Sequence, residues 1–259
     1  MRSREGLLRQ LLAGSDRDVV LVYTFAQTMY ADMLVGNVPG SIAQFETLAE
    51  HYALSSVWMG LHALRQVQQG LMRWEEWLPD GLHPQSRGSL SYAEAVIDFL
   101  RSELTDASIA DTLPSEHVLP APLTAANWER ATMLAWEQVE TEGPWSVRHW
   151  TNSPFYGRVL TTSAPGARVR FSFTGRGLAL ATHLDDTAAE LRWQLDDGPW
   201  YTTIRERPAW ARQNGWFRFD LLADDLLDGE HRCVLEVVHG DRPECTGTNC
   251  HLIFIGIIG

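Results

Sequence analysis

The hydrophobic rhythm of this chain changes once along its length, and no single layer of secondary structure accommodates both patterns. Up to residue 104, helical periodicity alternates with short apolar runs. Arg4 to Leu12 reads as a helix stopped near Gly14. Asp18-Val-Val-Leu-Val-Tyr-Thr-Phe25 is a continuous run of β-branched and aromatic residues, as expected of a strand covered on both faces. Pro39 to Tyr52 reads as a helix, with Ile42, Phe45, Leu48, Ala49 and Tyr52 at helical spacing and Ser41 as its cap. Ser55 to Met59 is a second short strand. Leu61 to Trp74 is helical, LPDGLHPQSRG is a polar turn, and Ser89 to Leu104 is a helix with Leu90, Ala93, Val96, Ile97 and Leu100 on one side.

Strands interleaved with helices predict an α/β layer structure around a parallel sheet. Two strands are few for an open sheet, whose edges need cover from an upstream segment or a partner chain. Residues 105 to 127, rich in Pro, Ala, Ser and Asp, read as a linker. Beyond it polar and apolar residues alternate, in Arg168 to Phe173, Ala189 to Leu195, Trp216 to Leu221, Arg232 to Val238 and His251 to Ile257. The breaks at Ala164-Pro-Gly166, Asp196-Asp-Gly-Pro199, Gln213-Asn-Gly215 and Asp228-Gly229 are turn chemistry, so 128–259 is expected to be an all-β sandwich or jelly roll.

With 259 residues, 45% of them hydrophobic, the chain has material for two cores. The 21 basic against 33 acidic side chains give a net charge of −12, and no basic stripe stands out. A nucleic-acid partner is therefore not expected. No apolar run is long enough to suggest a membrane span, and the N-terminus lacks an export core. This leans to a cytoplasmic location, a guide that weakens if the recorded start falls partway through a domain. Cys233, Cys245 and Cys250 are odd in number; Cys245 and Cys250 could close a short loop or remain thiols. Neither the cysteines nor His239 and His251 have the spacing of a zinc finger, and no metal is expected.

The strongest local signal for chemistry is Asp80-Gly-Leu-His83-Pro84. A carboxylate three residues before a histidine in a tight turn can hold one ring nitrogen and leave the other as a base. A plain surface turn with a solvated histidine is the competing reading. Trp74 and Trp77, just before it, could wall a substrate pocket or pack in the core. Glu75 and Glu76 read as a solvated face, and His51 and His62 as helix residues. Trp145, Trp150, Phe155, Tyr156, Trp193, Trp200, Tyr201, Trp210 and Trp216 either fill the sandwich or stack on sugar rings.

Residues 4 to 100 resemble the C-terminal portion of the SGNH hydrolase superfamily, the GDSL-like lipases and esterases. Glu5-Gly-Leu-Leu-Arg9 and Asp18 to Thr24 resemble a helix and sheet strand of one bacterial branch. Phe45 to Tyr52 followed by Ser55-Ser-Val57 resembles its helix–strand unit. Asp80-x-x-His83-Pro84 resembles its last block, and Gly88 with Ala93 and Ile97 its closing helix. The resemblance implies that His83 is a general base oriented by Asp80, with no cofactor. It also implies a serine in a G-D-S-[LI] block and a glycine and an asparagine forming an oxyanion hole. None of these three blocks occurs here; Ser3, Ser15 and Asn37 do not stand in their context. The segments Gly175 to Leu180, Leu195 to Trp200 and Leu226 to His231 resemble the jelly-roll accessory domain of some carbohydrate esterases. The expectation is thus a fragment or divergent member of a serine esterase acting on acyl esters of carbohydrates. Its partners would be a small-molecule or carbohydrate ester and a missing N-terminal half or a second copy. The rival expectation is a non-catalytic module binding carbohydrate or protein, with a remnant hydrolase domain.

Overall fold

The computed structural model describes residues 1–14, 17–105, 119–150, 157–211, 215–243 and 245–259. The expected turn at 213–214, most of the expected linker, and Ser15, Phe155 and Tyr156 lie outside them. The chain divides into two compact units, Met1–Glu129 and Arg130–Gly259.

In the first unit, α1 (Arg2–Leu12) leads to β1 (Val20–Val22), a single 3-10 turn (Gln27–Met29) and α2 (Tyr30–Leu34). Then come α3 (Gly40–Tyr52), β2 (Ser55–Val57), α4 (Met59–Gln68), α5 (Trp74–Trp77) and α6 (Ser86–Thr105). β1 and β2 pair in parallel, Val20 opposite Ser55 and Val22 opposite Val57. One face of the β1 segment, through Val19 and Leu21, packs on Leu8 and Leu12 of α1 and Leu48 and Tyr52 of α3. The other face is not covered as the apolar run suggested: Val20 and Val22 remain 37% and 49% exposed. A second core gathers Phe25, Ala63 and Leu64 of α4, Trp77 of α5 and Tyr92 of α6.

Two local expectations are corrected. Ser41 does not cap α3; Pro39 stands at the cap position and Ser41 lies inside the helix. Proline's fixed φ starts the helix without a side-chain bond. In α6 the buried residues are Gly88, Ser91, Tyr92 and Ala95, whereas Leu90, Ile97 and Leu100 are exposed. The helix turns Gly88 toward Trp77, where a Cβ would meet ring and carbonyl atoms at 2.7 Å, and that close approach fixes which face is inward.

The described part of the expected linker packs in the first unit. Glu5, fully buried, accepts hydrogen bonds from the Tyr52 hydroxyl (2.7 Å) and the backbone N–H groups of Leu123 (2.5 Å) and Thr124 (2.9 Å). Burial opposes its charge, but these donors together hold its carboxyl below the ordinary value.

The second unit is two antiparallel sheets. Its strands are β3 (Thr132–Met133), β4 (Glu140–Glu142), β5 (Ser146–His149), β6 (Arg158–Thr162), β7 (Arg168–Gly175) and β8 (Gly177–Leu184). They continue with β9 (Glu190–Leu195), β10 (Trp200–Thr202), β11 (Trp216–Ala223), β12 (Gly229–Val238) and β13 (Cys250–Ile258). One sheet runs β10-β9-β12-β7-β4 and the other β11-β8-β13-β6-β5, with β3 beside β13. Alternation puts Val169, Phe171 and Phe173 of β7 and Leu235 of β12 in a core with Leu178 and Leu180 of β8 and Ile255 of β13. Asp196 and Asp197, both at positive φ, make the β9–β10 hairpin turn. The three cysteines are free and buried, so the Cys245–Cys250 loop is not closed by a disulfide.

Candidate active site

The DGLHP turn follows α5 and is held from three sides. The Gly81 N–H donates to the Leu78 carbonyl (3.0 Å), the Gln85 N–H to Trp77 (2.9 Å), and the Gln27 N–H to the Gly81 carbonyl (3.1 Å). Gly81 lies at φ +79°, and a Cβ there would press on the Gln27 side chain at 2.8 Å. Gln27 follows β1 by five residues, which places the turn beyond the carboxyl end of the parallel strands. In open α/β sheets that end is where ligands are handled.

Within the turn Asp80 is an acceptor three times over. Oδ1 takes the backbone N–H groups of Leu82 (2.9 Å) and His83 (2.8 Å), and Oδ2 lies 2.7 Å from His83 Nδ1. The His83 N–H, the His83 ring and the Leu82 N–H hold the Asp80 carboxyl well below the usual carboxylate range. It stays ionised and fixes the ring through Nδ1. Nε2 has no partner among the described residues, and the side chain is exposed. The pair adds little to stability at this exposure.

A second carboxylate–histidine pair in the chain shows the contrast. His231 Nδ1 lies 2.6 Å from Asp196 Oδ2, but its Nε2 is also engaged, by the Leu227 carbonyl at 2.8 Å. With both nitrogens bonded, His231 ties a hairpin turn to β12 and has no nitrogen left for a substrate. His51 likewise bonds the Ala121 carbonyl (2.8 Å), and His62 lies beside Gln66 and Glu94.

Trp77 is fully buried, its ring against Phe25, Trp74 and Tyr92, and it offers no surface to a ligand. Trp74 is half-buried and edge-on to Phe25 and Tyr30. Both tryptophans belong to the core cluster beside α5, and only the Trp77 carbonyl bonds the end of the turn. Glu76 caps α5, accepting the Arg73 N–H at 2.8 Å. Gln27 and Tyr92 are the residues the sequence did not reveal. The Tyr92 hydroxyl accepts the Phe25 N–H at 3.2 Å and so ties the exit of β1 to α6. Among the described residues no group of His, Cys, Asp and Glu is arranged to hold a metal ion.

No family model matches this sequence, and no curated protein matches it. Solved structures do. A two-domain esterase (CEX) active on acetylated mannans matches with a TM-score of 0.79 at 18% identity, over 98% of this chain and 67% of that one. The same esterase co-crystallized with mannopentaose gives 0.78 at 18% identity, over 98% and 66%. A family two carbohydrate esterase from Cellvibrio japonicus aligns over only 50% of the chain with a TM-score of 0.36. At this identity the likeness to the two-domain esterase is one of fold, an α/β part joined to a β-rich part. The chain spans about two thirds of that esterase's length.

Proposed function

We propose that the first unit is the acid–base part of an SGNH-type serine esterase, a fragment or divergent member of that superfamily, and that its substrate is an acyl ester of a carbohydrate. The observation that carries this reading is the Asp80–His83 pair, with Nδ1 held and Nε2 without a partner among the described residues, at the carboxyl end of the strands. A serine hydroxyl attacks the ester carbonyl while His83 Nε2 takes its proton. Asp80 keeps the ring in place and stabilises the imidazolium. The proton then passes to the sugar oxygen as its bond to the acyl carbon breaks, releasing the sugar alcohol, and water releases the acyl group by the same route.

The serine and the oxyanion hole come, in this reading, from polypeptide outside residues 1–259. Two apolar surfaces of the first unit support this. Val20 and Val22 of β1, and Leu90, Ile97 and Leu100 of α6, are exposed. The carbohydrate part rests on the likeness of fold to an esterase active on acetylated mannans. We read the second unit as the accessory jelly roll of such an enzyme.

The test is hydrolysis of acetylated mannan and of p-nitrophenyl acetate over a concentration series. Residues 1–259 and His83→Ala should both stay at background. Supplying a polypeptide with a G-D-S block, as an extension or in trans, should give turnover that His83→Ala lowers by roughly 10²–10⁴. Turnover by the chain alone that needs His83 would place the nucleophile within it. A completed enzyme indifferent to His83 would refute the reading.

A further inference from the structure

The outer face of the five-stranded sheet carries a row of side chains that no structural role exhausts. Trp200 of β10 pairs with Gln194 of β9, Gln194 with Val234 of β12, Val234 with Arg170 of β7, and Arg170 with Glu140 of β4. These five residues are therefore in register straight across the sheet. A groove of about 660 Å³ runs over four of them, Gln194, Val234, Arg170 and Glu140, and Ser172, Asp197 and Arg232 also line it; Trp200 stands at the end of the row, outside that lining. At ~4.8 Å per strand the row spans roughly 19 Å, room for several sugar rings.

The neighbouring row is already satisfied. Glu236 bridges Arg168 (2.8 Å) and Arg192 (2.7 Å), and Glu142 reaches across to Arg170 of the groove row at 2.5 Å, so Arg170 is already paired. Those pairs make a rigid wall along the groove. Inside it the Arg232 guanidinium and the Glu140 and Asp197 carboxylates are exposed and have no partner among the described residues. Trp200 is 38% exposed, with the Arg192 guanidinium 4.7 Å from its ring centroid on one side. By contrast Trp145 and Trp193 pack against the sandwich core, and Trp150 and Trp216 against smaller clusters.

We propose that this groove binds a neutral polysaccharide chain lying across the strands. A sugar hydroxyl both donates and accepts, so it suits a floor where Arg232 and Gln194 stand beside Glu140 and Asp197. The Trp200 ring, at the end of the row next to Gln194, supplies an apolar face for a pyranose that extends past the groove, and Val234 is the apolar residue in the middle of the floor. The groove's charge balance argues against a charged ligand. With Arg170 paired to Glu142, an anionic polymer would meet the unpaired Glu140 and Asp197 carboxylates and a cationic one the unpaired Arg232 guanidinium. The inference rests on the carbohydrate part of the proposed function but not on the Asp80–His83 pair.

Calorimetric titration with mannopentaose and cellohexaose, and with oligogalacturonate as the anionic comparison, tests it on the full chain. A neutral oligosaccharide should bind, and Trp200→Ala and Arg232→Ala should each raise Kd about tenfold or more without shifting the melting temperature. Leu227→Ala, on an exposed loop, should bind as wild type does. Absence of binding to either neutral oligosaccharide at millimolar concentration would overturn the proposal. So would tighter binding of oligogalacturonate, or a Kd unchanged in both groove variants. A failed esterase assay leaves these binding results standing, which separates the two readings.

Discussion

Lowering the pH from 7 to 5 is expected to remove about 2 kcal/mol from the stability of the second unit through His251 alone. The ring is 7% exposed, its Nδ1 lies 2.8 Å from the Thr161 hydroxyl, and Trp150 packs 4.3 Å away. Burial, then Arg148 and His183, disfavour the imidazolium; only Asp185 favours it, and the pKa falls to about 4. An unfolded histidine titrates near ~6.5. Because the folded value is depressed, the stabilisation is complete above the unfolded pKa and is lost as the pH falls toward the folded one. Each unit in that window is worth about 1.36 kcal/mol, which gives ~2 kcal/mol at pH 5 and ~3 kcal/mol at pH 4. His251→Gln keeps a polar partner for Thr161 and cannot titrate. Urea unfolding at both pH values, with proton NMR of the histidine rings, separates this loss from that of the carboxylates. Wild type should lose about 2 kcal/mol more than His251→Gln. Equal losses, or a His251 resonance titrating near 6.5, would refute the reasoning.

Four further outcomes follow from the geometry. Gly81→Ala should destabilise the first unit by about 1–2 kcal/mol, because φ +79° and the contact with Gln27 both resist a Cβ; chemical denaturation reads it. Trp77→Ala should lower stability by about 3–5 kcal/mol through the cavity left between α5 and α6, seen as a shift of the denaturation midpoint. The three thiols should react with a disulfide reagent only on unfolding, since burial pushes Cys233 and Cys250 up to about 12. Glu5→Gln should destabilise the first unit at neutral pH, and the deficit should shrink as acid protonates the wild-type carboxyl, measured by thermal melts across pH 3 to 7.

The elements that were legible in the sequence are those whose pattern is local. The polar–apolar alternation of the sequence marks β7, β9, β11, β12 and β13 as strands, although strict alternation of burial is seen only along β7. β8 went unread because every residue from Gly177 to Leu184 is buried, so no alternation marks it. The five-residue α2 is too short to show a period. In α6 the more apolar stripe is not the buried one, since the close approach of Gly88 to Trp77 overrides hydrophobicity in choosing the inward face. Asp80 and His83 could be paired from the sequence because only Gly81 and Leu82 lie between them. The contribution of Gln27 could not, because it depends on how the exit of β1 meets a turn far along the chain. The Trp200-to-Glu140 row is equally hidden, since it exists only through the register of five strands.

The central claim is that Asp80 holds His83 with Nε2 bearing the lone pair that accepts a proton. Nitrogen-15 NMR of the ring at a pH where it is neutral tests this most directly. The account predicts the Nδ1–H tautomer for His83, with the proton shared toward Asp80, and its loss in Asp80→Ala. A ring protonated at Nε2, or an even mixture of tautomers unaffected by Asp80→Ala, would contradict it.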